Sequence, residues 1–143
     1  MPSDPPPSGP ALRVAVLADL PNAGTACAEG RRFVGEQLWR WEVGLQVADT
    51  TELVASELIA NAVRHGRPPL RLALRLHRER VRLEVTDSSP RPPLLTRPRL
   101  TAIGGRGLWL VDTLSVEWGS YPEPPGKVVW CEVPVAEPLL PMA

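Results

Sequence analysis

The sequence predicts an α+β domain, a two-layer sandwich in which helices pack on one face of a mainly antiparallel, mixed sheet. Three observations lead to this fold class. Two stretches carry apolar residues at helical spacing, a pair of alternating segments is separated by a short break, and a glycine-rich helix start precedes two strand-like runs. The chain has 143 residues, which is enough for one such domain with its own core.

Prolines mark both ends of this domain. Residues 1–10 include five prolines and two serines, and residues 136–143 again contain proline and show no periodicity. Segments with so little to bury do not order easily. We therefore expect a disordered tail over residues 1–10, a single domain over 11–135 and a flexible C-terminal tail over 136–143.

The first half of the domain reads as one strand followed by two helices. The apolar run at residues 12–17 predicts the strand, and apolar residues at helical spacing predict a helix within 23–41. Residues 49–52 match a capping box and predict the start of the second helix. Gly66, two residues before Pro68, predicts where that helix ends.

The second half begins with alternating apolar and polar residues at 70–76 and 81–85, which predict an antiparallel hairpin. Residues 88–98 hold four prolines without periodicity and predict a long connection that acts as a lid. A third helix is expected from the glycine cluster to Leu114. Strands are then expected near 116–118 and over 127–135, with 119–126 as the turn between them.

Composition narrows the function classes. The chain has 16 basic and 16 acidic side chains, so we expect no direct contact with nucleic acid. Lys127 is its only lysine, and we ascribe this bias to the codon usage of a GC-rich genome rather than to phosphate binding. No apolar run reaches the ~20 residues of a membrane span, and no secretory signal or cysteine pattern is present, which predicts a soluble, cytoplasmic protein.

A polar pair stands out in the second helix. Glu57 and Asn61 are four residues apart in an otherwise apolar segment, so both project from one face. An amide oxygen at Asn61, completed by phosphates and waters, suits Mg²⁺. Glu57, one turn away, is placed to activate an attacking hydroxyl or water. A solvent-facing pair on a surface helix is the alternative interpretation of the same two residues.

Two further features complete a candidate nucleotide site. Asp87 ends a predicted strand, and its carboxylate would accept a hydrogen bond from the exocyclic amine of adenine. Gly104, Gly105 and Gly107 precede the third helix, where backbone N–H groups and Arg106 could hold phosphate oxygens. Each feature also has a simpler interpretation when taken singly. Asp87 could simply start a turn, and the glycines could form a loop that binds no ligand.

These residues resemble the motifs of the GHKL (histidine kinase-like) ATP-binding superfamily, in particular its small anti-sigma-factor serine/threonine kinases. The resemblance extends over roughly residues 12–135 and implies the fold of that superfamily, the Bergerat fold. Residues 57–66 resemble its N box, residues 85–87 the start of its first glycine box, and Gly104-Gly105-Arg106-Gly107-Leu108 its second glycine box.

The resemblance implies a role for each box. In the N box it makes Glu57 the catalytic general base and Asn61 the ligand of Mg²⁺. Asp87 would contact adenine, and residues 104–108 would close over the phosphates of ATP. The cofactors implied are therefore ATP and Mg²⁺.

The resemblance also implies an activity and partners. Such a kinase phosphorylates a serine or threonine of an anti-sigma-factor antagonist and sequesters a sigma factor, thereby regulating transcription. A homodimer through the first strand and helix is also implied. One departure favours an alternative function: Asp87 is followed by Ser88-Ser89-Pro90, where the family usually has glycines. The alternative is a non-catalytic scaffold, ATP-binding or nucleotide-free, that regulates transcription by binding a protein.

Two other classes are less compatible with the sequence. A two-component histidine kinase would need an acceptor histidine on a dimerisation helix, and the chain has only His65 and His77. A gyrase-like or chaperone ATPase would need transducer domains that 143 residues cannot hold.

Overall fold

The protein folds as a five-stranded sheet with three helices on one face, in a computed structural model that describes residues 10–21, 24–93 and 107–135 (only the backbone for 107–110). The strands are ordered β1-β2-β3-β5-β4. The elements are β1 (Arg13–Leu20), α1 (Ala26–Arg40), α2 (Leu45–His65), β2 (Leu70–Leu76), β3 (Arg80–Asp87), α3 (Gly107–Leu114), β4 (Glu117–Glu123) and β5 (Gly126–Pro134).

This architecture confirms the predicted α+β sandwich. Within the described ranges all four strand pairings are antiparallel, so the sheet has no parallel pair there, although the sequence predicted a mixed one. The hairpin of β2 and β3 has the predicted alternation, with Leu74 opposite Leu83 on the helix side. Of the predicted tails, residues 1–9 and 136–143 lie outside the described residues.

The start of α2 differs from the prediction. The helix begins at Leu45, after Gly44, whose φ of 100° is a conformation that glycine adopts without steric cost. The predicted capping box, residues 49–52, lies inside the helix, where the Thr51 hydroxyl donates to the Val47 carbonyl at 2.7 Å. Burial of Val47, Ala48 and Thr51 extends the helix one turn upstream and outweighs the local capping signal.

The predicted turn at residues 119–126 is also wrong. Strand β4 continues to Glu123, with Gly119 opposite Trp130 and Tyr121 opposite Val128, so the turn shrinks to residues 124–125. Glycine and proline are weak strand formers, but an edge strand tolerates both. β4 is an edge of the described sheet, and its register comes from β5.

The core lies between the helices and the sheet. Leu58 and Val54 of α2 are buried against strand residues such as Leu72, Leu83 and Cys131. Helix α1 packs closely on α2 at Gly30, where an added Cβ would overlap the side chain of Ile59. Helix α2 also packs against α3, so it is the central helix of the layer.

The opposite face of the sheet carries a ladder of ion pairs. Arg82, with only 1% of its surface exposed, donates to Glu84 at 3.1 Å and lies 4.2 Å from the centroid of the Trp130 ring. Glu84 also accepts a hydrogen bond from Arg75 at 2.9 Å, and Glu132 accepts one from Arg80 at 2.9 Å. Charges can be buried here because each has a partner of opposite sign.

This ladder makes the stability of the fold sensitive to acid. Burial alone would raise the pKa of Glu84, but hydrogen bonds from Arg75 and Arg82, together with their positive charges, lower it below its ordinary value of 4.5. A pKa that is lower in the folded state means that ionised Glu84 stabilises the fold above the unfolded-state pKa. That contribution is lost as the pH falls through the folded-state pKa.

We expect Glu84→Gln to lower the free energy of unfolding by roughly 1–3 kcal/mol near pH 7, since it removes the carboxylate that accepts hydrogen bonds from the buried Arg82 and the partly exposed Arg75. The difference in unfolding free energy from the wild type should narrow as the pH falls through the folded-state pKa of Glu84, because the wild type then loses the charge as well. Urea unfolding at pH 7 and at a pH below that folded-state pKa measures both effects. Glu117→Gln is the control, since the Glu117 side chain is 63% exposed. A difference that is the same at both pH values would contradict the role given to Glu84.

Candidate nucleotide site

The polar pair predicted on the second helix lies on one flank of α2. Glu57 and Asn61 are both partly exposed. Within the part of the chain that the structure describes, neither side chain has a hydrogen bond or an ion pair. The helix thus carries a carboxylate and an amide, both partly exposed, on one flank.

This flank points away from α1. Ser56, the residue before Glu57, faces α1, since its hydroxyl accepts a hydrogen bond from Arg31 of α1 at 3.3 Å. At about 100° per residue, Glu57 is turned about 100° from Ser56 and Asn61 about 140°. Glu57 and Asn61 therefore lie on a different flank of α2 from the one that contacts α1.

Asp87 lies at the end of β3, next to the end of α2. It is 3% exposed, and a Cβ added to Gly66, the residue after α2, would come within 2.7 Å of its Cγ. A Cβ at Gly126, where β5 begins, would overlap the Asp87 carbonyl group. Two glycines therefore allow the helix end and the neighbouring strand to close around this carboxylate.

The Asp87 carboxylate is held by Lys127. The Lys127 ammonium lies 2.9 Å from Oδ2 and 3.1 Å from Oδ1, and it also donates to the Ser89 carbonyl at 3.3 Å. The Ser89 amide donates to Oδ1 at 2.7 Å. The side chains of Lys127 and Asp87 are 7% and 1% exposed, so this is a buried ion pair.

Sequence reasoning missed Lys127. The one lysine among fifteen arginines was ascribed to codon usage, although its uniqueness was a signal. What the sequence could not show is that β3 and β5 pair in a register that sets Asp87 opposite Lys127, 40 residues further along the chain.

The segment after Asp87 is anchored rather than free. The Ser88 amide donates to the Arg67 carbonyl at 2.9 Å, and the Ser88 hydroxyl to the Pro68 carbonyl at 2.5 Å. The first part of the predicted lid is thereby attached to the loop that follows α2. Residues 94–98 of that lid lie outside the described residues, so its closing role stays a prediction.

The predicted phosphate-binding segment is described only in part. Gly107 and Leu108 begin α3, which packs against α2. Gly104, Gly105 and Arg106 lie outside the described residues. Their contact with phosphates therefore remains a prediction.

In one α+β domain, the described residues combine a helix flank with a carboxylate and an amide, a carboxylate at a strand end, and a third helix that begins at a glycine. The family model described as "Histidine kinase-like ATPase domain" matches residues 20–132. The chain therefore belongs to this family. No curated protein shows significant similarity to it.

Family membership confirms the superfamily predicted from the sequence motifs and supports ATP as the ligand of this domain. None of the helices that the structure describes is long and apolar enough to cross a membrane.

Removal of Lys127 should test the buried pair. Lys127→Met leaves the Asp87 carboxylate buried without its counter-ion, and breaking a pair in this way costs about 3–5 kcal/mol. We expect a loss of that size in the free energy of unfolding, measured with urea. The double variant Asp87→Asn with Lys127→Met removes both charges and should regain part of the loss.

The matched control is Arg78→Met, which deletes one positive charge from the exposed connection between β2 and β3. It should change the free energy of unfolding by less than about 0.5 kcal/mol. Equal losses in the Lys127 and Arg78 variants would show that the ion pair does not stabilise the fold.

Proposed function

We propose that the protein is an ATP-dependent serine/threonine kinase of the anti-sigma-factor type. It phosphorylates a serine or threonine of an anti-sigma-factor antagonist and sequesters a sigma factor. The observation that supports this most directly is the flank of α2, where Glu57 and Asn61 are partly exposed and have no partner among the described residues. Membership of the histidine kinase-like ATPase family supports ATP as the nucleotide.

Asn61 suits the metal that such a reaction uses. Its side-chain oxygen is a hard donor that no described group engages, and Mg²⁺ is commonly held by one or two protein oxygens together with phosphates and waters. A bound Mg²⁺ would neutralise charge on the phosphate oxygens. In this proposal Asn61 holds the ion.

Glu57 acts as the general base. It lies one helical turn from Asn61 on the same flank, so its carboxylate stands next to the proposed metal position. The carboxylate accepts the proton of the serine or threonine hydroxyl. The hydroxyl oxygen then forms a bond to the γ-phosphorus of ATP, the bond between that phosphorus and the bridging oxygen breaks, and ADP leaves.

The proposed partners include a second copy of the chain. β1 is an edge of the described sheet. Apolar side chains on and just before this strand are exposed: Leu12 by 47%, Val14 by 50% and Val16 by 40%. An exposed edge with apolar residues favours pairing with another chain. This supports a homodimer through the first strand. Cytoplasmic location and direct binding of a sigma factor are part of the same proposal.

A second candidate function is a scaffold that regulates transcription without phosphate transfer. The observation that favours it is the Asp87 carboxylate, which Lys127 already engages at both oxygens. The absence of glycines immediately after Asp87 points the same way. A scaffold would bind its protein partner equally well with and without ATP.

Glu57→Ala distinguishes the two functions. If Glu57 is the general base, hydrolysis of Mg–ATP to ADP and phosphate by the purified chain should fall about 10²- to 10⁴-fold, because water uses the same base as the hydroxyl of a protein substrate. The dissociation constant for Mg–ATP should stay within about threefold, since Glu57 is assigned no binding role. Glu36→Ala, on the exposed surface of α1, is the control. Unchanged hydrolysis in the Glu57 variant would exclude its catalytic role.

Asn61→Ala tests the metal site. We expect Mg–ATP to bind about tenfold more weakly, because the metal loses its protein ligand. Without Mg²⁺ the variant and the wild type should bind ATP equally. Isothermal titration calorimetry with and without EDTA measures both, with Ser56→Ala on the other flank of the helix as the control. Equal weakening in EDTA would mean that Asn61 contacts the nucleotide itself or supports the fold.

A further inference from the structure

One row of side chains on α2 is open to solvent along the whole helix. Residues four apart on a helix form a continuous ridge on its surface. The ridge that contains the candidate pair consists of Leu45, Asp49, Leu53, Glu57, Asn61 and His65, and none of these residues is buried. We refer to this row as the α2 ridge.

The neighbouring rows of α2 are occupied by the protein itself. The Ser56 hydroxyl accepts a hydrogen bond from Arg31 of α1 at 3.3 Å. Glu52 also lies against α1, because a Cβ added to Gly35 would come within 3.1 Å of its Oε1 atom. Leu58 faces the core. Helix α1 and the core thus fix the orientation of α2 and leave the α2 ridge open to another molecule.

The α2 ridge has an ordered chemistry beside the candidate pair. Leu45 is 78% and Leu53 44% exposed. Asp49 lies between them, is exposed, and has no hydrogen bond or ion pair within the described residues. A single exposed leucine is common on protein surfaces. Here two exposed leucines and an unpaired acid lead along one ridge to the carboxylate of Glu57.

The spacing along the ridge relates these residues to the phosphoacceptor, a step that rests on the proposed function of Glu57 as general base. At 1.5 Å per residue, Leu53 lies about 6 Å, Asp49 about 12 Å and Leu45 about 18 Å from Glu57 along the helix axis. Helical side chains lean toward the N-terminus of their helix, so Glu57 leans toward Leu53. A serine or threonine that reaches this carboxylate therefore has its neighbouring residues beside Leu53.

An extended segment matches the spacing of the α2 ridge. Alternate side chains of an extended chain face the same side and are about 6.6 Å apart, close to the step between ridge residues. Residues two, four and six positions from the acceptor would then lie against Leu53, Asp49 and Leu45. Apolar side chains gain from burial against the leucines, and a basic side chain gains from pairing with the aspartate.

We propose that the α2 ridge binds the segment of the partner protein that carries the phosphorylated serine or threonine. It selects an extended segment with an apolar residue two positions from the acceptor, a basic residue four positions away and an apolar residue six positions away, all on the same side. Leu53 and Asp49 are thus specificity-determining residues. The inference adds a substrate class to the proposed kinase activity.

Phosphorylation of a synthetic peptide library by the full-length protein tests the proposal. Each peptide contains one serine, one flanking position at a time is fixed, and transfer from γ-³²P-labelled Mg–ATP is measured. Two positions from the serine, on one side, the wild type should prefer leucine over aspartate at least about threefold. Four positions away on that side, it should prefer arginine over glutamate about twofold or more.

Two variants should change these preferences separately. Leu53→Asp should replace the preference for leucine by one for arginine, and Asp49→Arg should invert the preference at the second position. Both residues are exposed, and each preference is a ratio measured in one preparation, so it does not depend on the amount of folded protein. Glu79→Arg, the same charge reversal in the exposed connection between β2 and β3, is the control and should keep both wild-type preferences.

The outcomes separate this inference from the proposed function. Transfer without positional preference, or preferences that both variants leave unchanged, overturns the inference while the kinase activity stands. Hydrolysis of Mg–ATP without labelling of any peptide also overturns it, because the ridge then brings no hydroxyl to Glu57. If the wild type neither hydrolyses Mg–ATP nor labels a peptide, the proposed function fails, and the inference fails with it.

Light scattering after size-exclusion chromatography tests the other occupant of the ridge, a second copy of the chain. We expect Leu53→Asp to keep the oligomeric state of the wild type. A wild-type dimer that becomes a monomer in this variant would show that the ridge is covered by another copy, and would overturn the inference.

Discussion

The packing of α2 on the sheet determines the geometry of the rest of the protein. Leu58, Ile59 and Ala62 are each at most 4% exposed, and they face the strands or α1. A helix whose apolar stripe is held in this way cannot rotate about its axis without exposing core residues. The orientation of Glu57 and Asn61 is therefore a consequence of hydrophobic burial. The core positions the polar pair, and no hydrogen bond within the described residues is needed to do so.

A second constraint acts where α2, β3 and β5 meet. The end of α2 approaches Asp87 through Gly66, and the start of β5 approaches it through Gly126. Larger residues at either glycine would force these elements apart. Lys127 then neutralises the buried carboxylate that this close packing creates. The same contacts that join three elements also occupy most of the hydrogen-bonding capacity of the Asp87 carboxylate.

Two sets of polar side chains in this molecule differ in their surroundings. Those on the sheet face opposite the helices, such as Arg82 and Glu84, are buried and paired, and their energy stabilises the fold. Glu57 and Asn61 are partly exposed and have no partner in the described ranges. A group left unpaired at the surface costs the fold little and remains free to interact with a ligand. This distinction supports the proposed kinase site on the flank of α2. The pairing of Asp87 with Lys127 instead favours the alternative proposal, a scaffold.

The sequence by itself determined the types and order of the elements, the end of α2 at Gly66 and the shared flank of Glu57 and Asn61. These properties follow from periodicity and local backbone chemistry, which act over a few residues. It misplaced the start of α2 and the turn after β4, because burial of Val47 and pairing with β5 overrode the local signals. The tertiary structure alone decided that Lys127 holds Asp87. Strand register depends on how the whole sheet packs, and it brings together residues 40 positions apart that no local pattern connects.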